Sequence, residues 1–273
     1  MWFGKPSGVS SEMRIEFLTQ DDPLYILPFF EEFLRNYAQE FDILQISCSP
    51  MMGKRSRLQM LKELTALYGP VGMGRLIAAT VSSRIMAKLP SSRKAARSYG
   101  LEQIARAYRI PCKRAGNPNA AEFVESVRQR GAEVLVSVAC PYILKDALLS
   151  VPPRGCVNIH HAPLPRYKGM MPTFWQMYHG EKSVGVTVHF MASKVDEGQA
   201  LLQDTLEIRQ GETLHELIQR TKRHGAHCMA RALRAIDSNS QSTRQLNGER
   251  GSYFTFPTIA EIRDFHRRGH RSI

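Results

Sequence analysis

Met13-Arg-Ile-Glu-Phe-Leu-Thr19 alternates as a strand does, Leu24 to Tyr37 carries apolar residues at helical spacing, and Phe41-Asp-Ile-Leu-Gln-Ile-Ser47 is a second strand. Strand, helix and strand within about 35 residues form a βαβ unit, which implies parallel pairing and a right-handed crossover. The dinucleotide fingerprint is missing, because Gln20-Asp-Asp-Pro23 stands where G-x-G-x-x-G would follow the first strand. The glycine cluster Gly69-Pro-Val-Gly-Met-Gly74 follows a helical segment instead.

Working outward, the alternation continues. Leu101 to Tyr108 reads as a helix and Arg109-Ile-Pro-Cys112 as a short strand. Asn119 to Gly131 is an amphipathic helix with Asn119 as its cap, and Ala132-Glu-Val-Leu-Val-Ser-Val-Ala139 is a central parallel strand buried on both faces. Leu144 to Leu149 is a short helix, Cys156 to His160 a strand, and Ala162 to Pro172 a loop rich in Pro and Gly. A helix from Phe174, strands over Val184 to Phe190 and Ala200 to Ile208, and a long helix over Glu212 to Ile236 complete the pattern. Asp237 to Gly251 reads as a polar linker before the aromatic segment Tyr253-Phe-Thr-Phe-Pro257. The expectation is an α/β fold with a doubly wound, mostly parallel sheet.

Composition narrows the class. With 273 residues, 43% apolar and 23% charged, the chain is an ordinary globular one, and collagen-like, disordered and disulfide-scaffold classes are excluded. Apolar runs such as Val134 to Tyr142 are shorter than the roughly 18 residues of a membrane span, and the N-terminus lacks a secretory pattern. A cytoplasmic protein is expected. Five scattered cysteines and nine histidines show no Cys-x-x-Cys or His-Glu-x-x-His spacing, so no metal is expected.

The chemistry concentrates between Val157 and Gln203. Asn158 and His160 are two apart on a strand, so an amide and an imidazole share one face, and the strand ends in His161-Ala-Pro-Leu-Pro-Arg-Tyr-Lys-Gly169. In open parallel sheets such strand ends are where ligands sit. About 36 residues after His160, Val195-Asp196-Glu197-Gly198 places a carboxylate in a tight turn that can face the same cleft.

Asn158-Ile-His160 with Leu164-Pro-x-x-x-Gly169, Thr187-Val-His189-Phe, Val195-Asp-Glu-Gly198-Gln and Leu202-Gln resembles the formyltetrahydrofolate-dependent formyltransferase family. That family includes glycinamide ribonucleotide transformylase, methionyl-tRNA formyltransferase, sugar N-formyltransferases and formyltetrahydrofolate hydrolase. The resemblance is strong over about Ala132 to Glu207 and weaker over Met13 to Pro50. It implies Asn158, His160 and Asp196 as the catalytic trio. It implies a pterin pocket lined by Ala139, Cys140, Pro141, Tyr142, Ile143 and Leu144 with Val195, Glu197 and Gly198. His161, His189, Lys168 and Gly169 are implied to contact the trio or the substrate. The expected donor is formyltetrahydrofolate, with no metal.

The chemistry agrees with that implication. A fixed amide N–H stabilises the oxyanion that develops when an amine attacks a formyl carbon. An imidazole, ordinarily titrating near about 6.5, suits removal of the amine's proton, and a nearby carboxylate favours imidazolium.

The expected acceptor is a small molecule, a primary amine on a nucleotide-linked or lipid-linked amino sugar, because Tyr253 to Pro257 resembles a segment of some sugar formyltransferases. Ala162-Pro163 stands where many members carry Ser-Leu, which bears on acceptor identity. Hydrolysis of formyltetrahydrofolate and formylation of aminoacyl-tRNA are the alternatives. About 66 residues after Glu207 are too few for a full tRNA-binding barrel, and the residues before the first strand too few for the hydrolase's regulatory domain.

The net charge of +12 comes largely from Met51 to Gly100, where ten basic residues (Lys54, Arg55, Arg57, Lys62, Arg75, Arg84, Lys88, Arg93, Lys94, Arg97) face one acidic residue, Glu63. Leu58, Leu61, Leu64, Leu67, Leu76, Ile77, Ile85 and Leu89 recur near helical spacing, which predicts one or two amphipathic helices. This basic insertion suits a solvated face, an anionic membrane surface or, less well, nucleic acid or nucleotide phosphates. A homodimer and a peripheral position at the inner membrane face are compatible with it. The expected organisation is a catalytic domain over residues 1–210, with the insertion at 51–100, and a C-terminal helix and extension over 211–273.

Overall fold

The computed structural model describes residues 12–50, 57–89, 98–193, 198–246 and 251–273. The elements are β1 (Arg14–Gln20), α1 (Leu27–Tyr37), β2 (Asp42–Ser49), α2 (Arg57–Met86), α3 (Leu101–Ala107), β3 (Cys112–Arg114), α4 (Ala121–Arg130), β4 (Val134–Val138), α5 (Asp146–Leu149), β5 (Cys156–His160), β6 (Lys168–Gly169), α6 (Pro172–Tyr178), β7 (Ser183–Phe190), β8 (Ala200–Glu207), α7 (Leu214–Asp237), β9 (Tyr253–Phe254) and α8 (Ile259–Arg267).

Seven of these strands form one sheet in the order β3-β2-β1-β4-β5-β7-β8. The chain winds outward from β1 through β2 to β3, then crosses to β4 on the other side of β1, which makes the sheet doubly wound. Pairing is parallel from β3 to β5. β7 is antiparallel to β5, and β8 to β7.

Periodicity explains the layers. On one face, Phe17 of β1 meets Phe29, Phe30 and Phe33 of α1 edge-on, and Val157, Ile159, Val186 and Val188 pack with Ala226, Met229 and Leu233 of α7. The other face buries Leu18, Leu135 and Cys156 beneath Val124, Val127 and Leu148 of α4 and α5. α7 begins with a capping box in which Thr213 and Glu216 satisfy each other's backbone N–H groups. A third cluster joins Leu67, Tyr68 and Leu76 of α2 to Phe174 and Trp175 of α6 and Phe265 of α8.

Several details differ from the sequence expectations. The third strand lies over Cys112–Arg114, past Arg109, whose φ of 60° turns the chain before it. Asn119 does not cap α4. Its amide instead donates to Ile143 O (3.0 Å) and accepts from Lys145 N (2.8 Å), tying down the loop after β4. The Pro- and Gly-rich loop contains β6, which pairs with β9. α8, opened by the Thr258–Glu261 capping box, was not evident in the periodicity.

α2 also departs from expectation. It breaks at Gly69 (φ 68°, ψ 167°), a conformation open essentially to glycine, and restarts with Pro70. Leu61–Met86, 26 residues that include an 18-residue window of mean hydropathy 1.2, is long and apolar enough to cross a membrane by length and composition, contrary to the reading of the shorter runs.

Candidate active site

Asn158, His160 and their partners are set by the register of β5 on β7. Asn158 pairs with His189 and His160 with Thr187, so four polar side chains share the face opposite Val157 and Ile159. His189 is almost wholly buried, and its Nδ1 lies 2.8 Å from the carbonyl oxygen of Phe190. A carbonyl oxygen only accepts, so Nδ1 carries the proton and the neutral ring offers its lone pair on Nε2. Asn158 Nδ2 donates to that lone pair at 3.2 Å. The bond fixes which way the amide points and leaves its second N–H for a ligand.

The imidazole of His160 is fixed in the same manner. Its Nε2 donates to Tyr167 O at 2.8 Å, so in the neutral ring the lone pair lies on Nδ1. Tyr167 is held in turn: its N–H donates to Ser252 Oγ (2.8 Å), its hydroxyl to Glu181 (2.8 Å), and its ring stacks on Phe254. The aromatic segment Tyr253 to Pro257 thus buttresses the loop that orients His160. Lys168 and Gly169 form β6 against it. A Cβ on Gly169 (φ 91°) would lie 2.3 Å from Phe254 O, so glycine is required.

Other buried polar groups hold the rest of that loop. Thr187 Oγ1 donates to Ala162 O (2.7 Å) and accepts from Leu164 N (3.1 Å). Gln203 Nε2 donates to Leu164 O (2.6 Å), and the fully buried Gln176 donates to His161 O (2.9 Å). Thr187 and Gln203 stand in the motifs that carry the resemblance, whereas Gln176, Tyr167 and Ser252 carry no sequence signal of these roles, because each depends on pairing between distant elements.

His161 is not brought together with His160. Alternation turns it to the face of Ile159, where it packs on α7 so closely that a Cβ on Gly225 would lie 2.9 Å from its ring. Both ring nitrogens are buried without a hydrogen-bond partner. Burial, then the positive charges of Lys222, His160 and His224, hold its pKa well below the ordinary histidine value. Lys222 is itself pushed down to about 8 by burial, against the opposing pull of Asp22.

The loop expected to line the pterin pocket begins at the carboxyl end of β4, next to β5. Ala139 adopts φ 54°, Thr19 Oγ1 holds Val138 O at 2.8 Å, and Asn119 anchors Ile143 and Lys145. Cys140, Pro141 and Tyr142 are half-buried and Ile143 is exposed, whereas the Leu144 side chain is buried in the core with Val124 and Leu148. The chemistry of the set fits a pterin: Ala139 to Leu144 carry no charge, and the loop is fixed at both ends. Gly198 lies against strand β7, where a Cβ would collide with Phe190 O at 1.7 Å. Val195, Asp196 and Glu197 lie outside the described residues.

A cleft of about 420 Å³ lined by Pro153, Arg154 and Ile236 lies at the opposite, amino end of β5. Among the described residues, Asp204, His224 and Cys228 bring three ligand-type atoms together, with Arg231 at 2.9 Å on the same carboxylate.

The formyl transferase family profile matches residues 74–233, more than half of the chain. The chain belongs to the formyl transferase family. Its match to the methionyl-tRNA formyltransferase of Pelobacter propionicus is 39% identical over 133 residues, 49% of this chain and 42% of that protein. The chain thus matches a little under half the length of this curated relative. Glycinamide ribonucleotide transformylase 1 from Symbiobacterium toebii superposes with a TM-score of 0.60 at 17% identity, over 90% of this chain and 100% of that one. WlaRD, a sugar 3N-formyltransferase crystallised in the presence of dTDP and 5-N-formyl-THF, superposes with a TM-score of 0.54 at 15% identity, over 97% and 83%. These superpositions establish a formyl transferase fold that takes in β1, α1 and β2, which precede the profile match.

Proposed function

We propose that this formyl transferase moves a formyl group from formyltetrahydrofolate to a primary amine. The observation that carries the reading is the tautomer-locked pair on β5: Asn158, oriented by His189, and His160, oriented by Tyr167 O. Bound formyltetrahydrofolate would supply an activated formyl carbon. The second Nδ2 N–H of Asn158 stabilises negative charge on the formyl oxygen as the amine attacks, and does so more strongly in the transition state than in the ground state. The Nδ1 lone pair of His160 takes the proton that the attacking amine loses and returns it to the departing nitrogen. Asp196 is assigned the third role from the family motif: its carboxylate favours the protonated imidazole between those two transfers.

The acceptor we assign is an amino sugar. The resemblance of Tyr253 to Pro257 to sugar formyltransferases supports it, and so does the seat of that segment on β6 beside the loop that orients His160. Aminoacyl-tRNA is the second reading, favoured by the 39% identity to a methionyl-tRNA formyltransferase. The deciding experiment incubates the protein and formyltetrahydrofolate with nucleotide-linked amino sugars and, separately, with methionyl-tRNA, and analyses the products by mass. A formyl adduct on an amino sugar supports the assignment. An adduct confined to methionyl-tRNA replaces it, and tetrahydrofolate release without any amine would mean hydrolysis.

A further inference from the structure

We propose that the outward face of α2 docks this protein on an anionic lipid surface. Amphipathic helices ordinarily turn their polar side to solvent. The second half of α2 does the reverse. Ile77, Val81 and Ile85 succeed one another at four-residue intervals, with Leu89 one turn beyond, and their exposures are 50%, 51%, 61% and 51%. They form one apolar stripe facing away from the body. Helical rotation of about 100° per residue sets Arg84 and Lys88 along the Ile77 edge of that stripe and Arg75 along the other. All three cations are exposed and make no ion pair with the described residues. No acidic residue occurs from Pro70 to Leu89.

Charge selects the occupant. A second copy of the chain across a two-fold axis would cover the stripe, but it would also bring two sets of Arg84, Lys88 and Arg75 together with no carboxylate between them. An anionic bilayer meets both needs: the aliphatic side chains enter the headgroup boundary while the cations meet phosphates.

The docking is peripheral, because the other side of the helix is committed. Leu67, Tyr68 and Leu76 are buried, and the Tyr68 hydroxyl hydrogen-bonds Tyr25 at 2.7 Å. Gly72 approaches Ile273 so closely that a Cβ would lie 2.9 Å from its side chain. Of the basic residues before the helix, Lys54 and Arg55 lie outside the described residues, so the cations that carry the inference are Arg75, Arg84 and Lys88.

The test is co-sedimentation of the full chain with phosphatidylcholine vesicles, with and without phosphatidylglycerol. The unaltered protein is expected to pellet with the anionic vesicles, to stay in solution with the neutral ones, and to be released by alkaline carbonate. The Arg75→Gln, Arg84→Gln, Lys88→Gln variant should lose about 100-fold in partitioning, since each cation near such a surface contributes several-fold. The Ile77→Ser, Val81→Ser, Ile85→Ser variant should lose binding with its thermal melting unchanged. Failure of the unaltered protein to pellet would overturn the inference, as would equal binding to neutral vesicles or retention through carbonate. A dimer in sedimentation velocity that the Ser variant dissolves would assign the stripe to a second copy instead. RNA binding that survives the Ser variant but not the Gln variant, with no vesicle binding, would assign the cations to nucleic acid.

Discussion

The hydrogen bond from Asn158 Nδ2 to His189 Nε2 takes its direction from a third group, the carbonyl of Phe190, which holds the imidazole proton on Nδ1. Because His189 is buried, removing its ring strands a polar amide and frees it to rotate, a loss of about 1–3 kcal/mol. His189→Ala should therefore lower kcat by roughly 10- to 100-fold with little change in KM. His189→Gln, which keeps an acceptor, should recover part of the loss in steady-state kinetics. Asn158-x-His160 and His189 could be found in the sequence because β alternation alone places them on one face. Adjacency alone does not separate His160 from His161: the packing of the second histidine against α7 shows that it turns away from the site.

That second histidine makes a pH prediction. Burial keeps the His161 ring neutral in the folded chain, whereas in the unfolded chain it takes up a proton near about pH 6.5. The unfolded state then binds more protons below that pH, so stability present above it is lost as pH falls, by up to about 1.4 kcal/mol per pH unit. Urea denaturation between neutral and acid pH should show a shallower acid loss for His161→Asn than for the unaltered chain.

At the scale of elements, two residues of β6 against two of β9 matter beyond their size, because Tyr167 O precedes them directly and accepts from His160. Gly169→Ala would drive a Cβ into Phe254 O and oppose a left-handed φ, at a cost on the order of 1–3 kcal/mol. The expected result is a lower melting temperature together with reduced turnover, measured by thermal denaturation and kinetics on the same sample. β4 is legible because both-face burial writes a continuous apolar run, and β1 because its residues alternate. β6 and β9 are not, since a two-residue strand has no period. α8 was missed because its buried Ile262 and Phe265 form a single short contact face. Asn119 was misassigned because a cap and a loop anchor call for the same side chain, and only the neighbouring Ile143 and Lys145 distinguish them.

For the whole molecule, the βαβ opening predicts a doubly wound sheet, and the family motifs, read in order, point to the sheet end where Asn158 and His160 sit. The stretch from Met51 to Gly100 is less legible. Periodicity finds helices, but only the packing of Leu67 and Leu76 onto α6 and α8 shows that the side left outside is the apolar one. In the proposed reaction two side chains act on one formyl carbon. This is tested most directly by tetrahydrofolate release in single turnovers, with the acceptor that gains a formyl group, for Asn158→Ala and His160→Ala. Losses of about 10²–10³-fold and about 10²–10⁴-fold are expected in variants that still melt cooperatively. Turnover near that of the unaltered protein in either variant would contradict this reading.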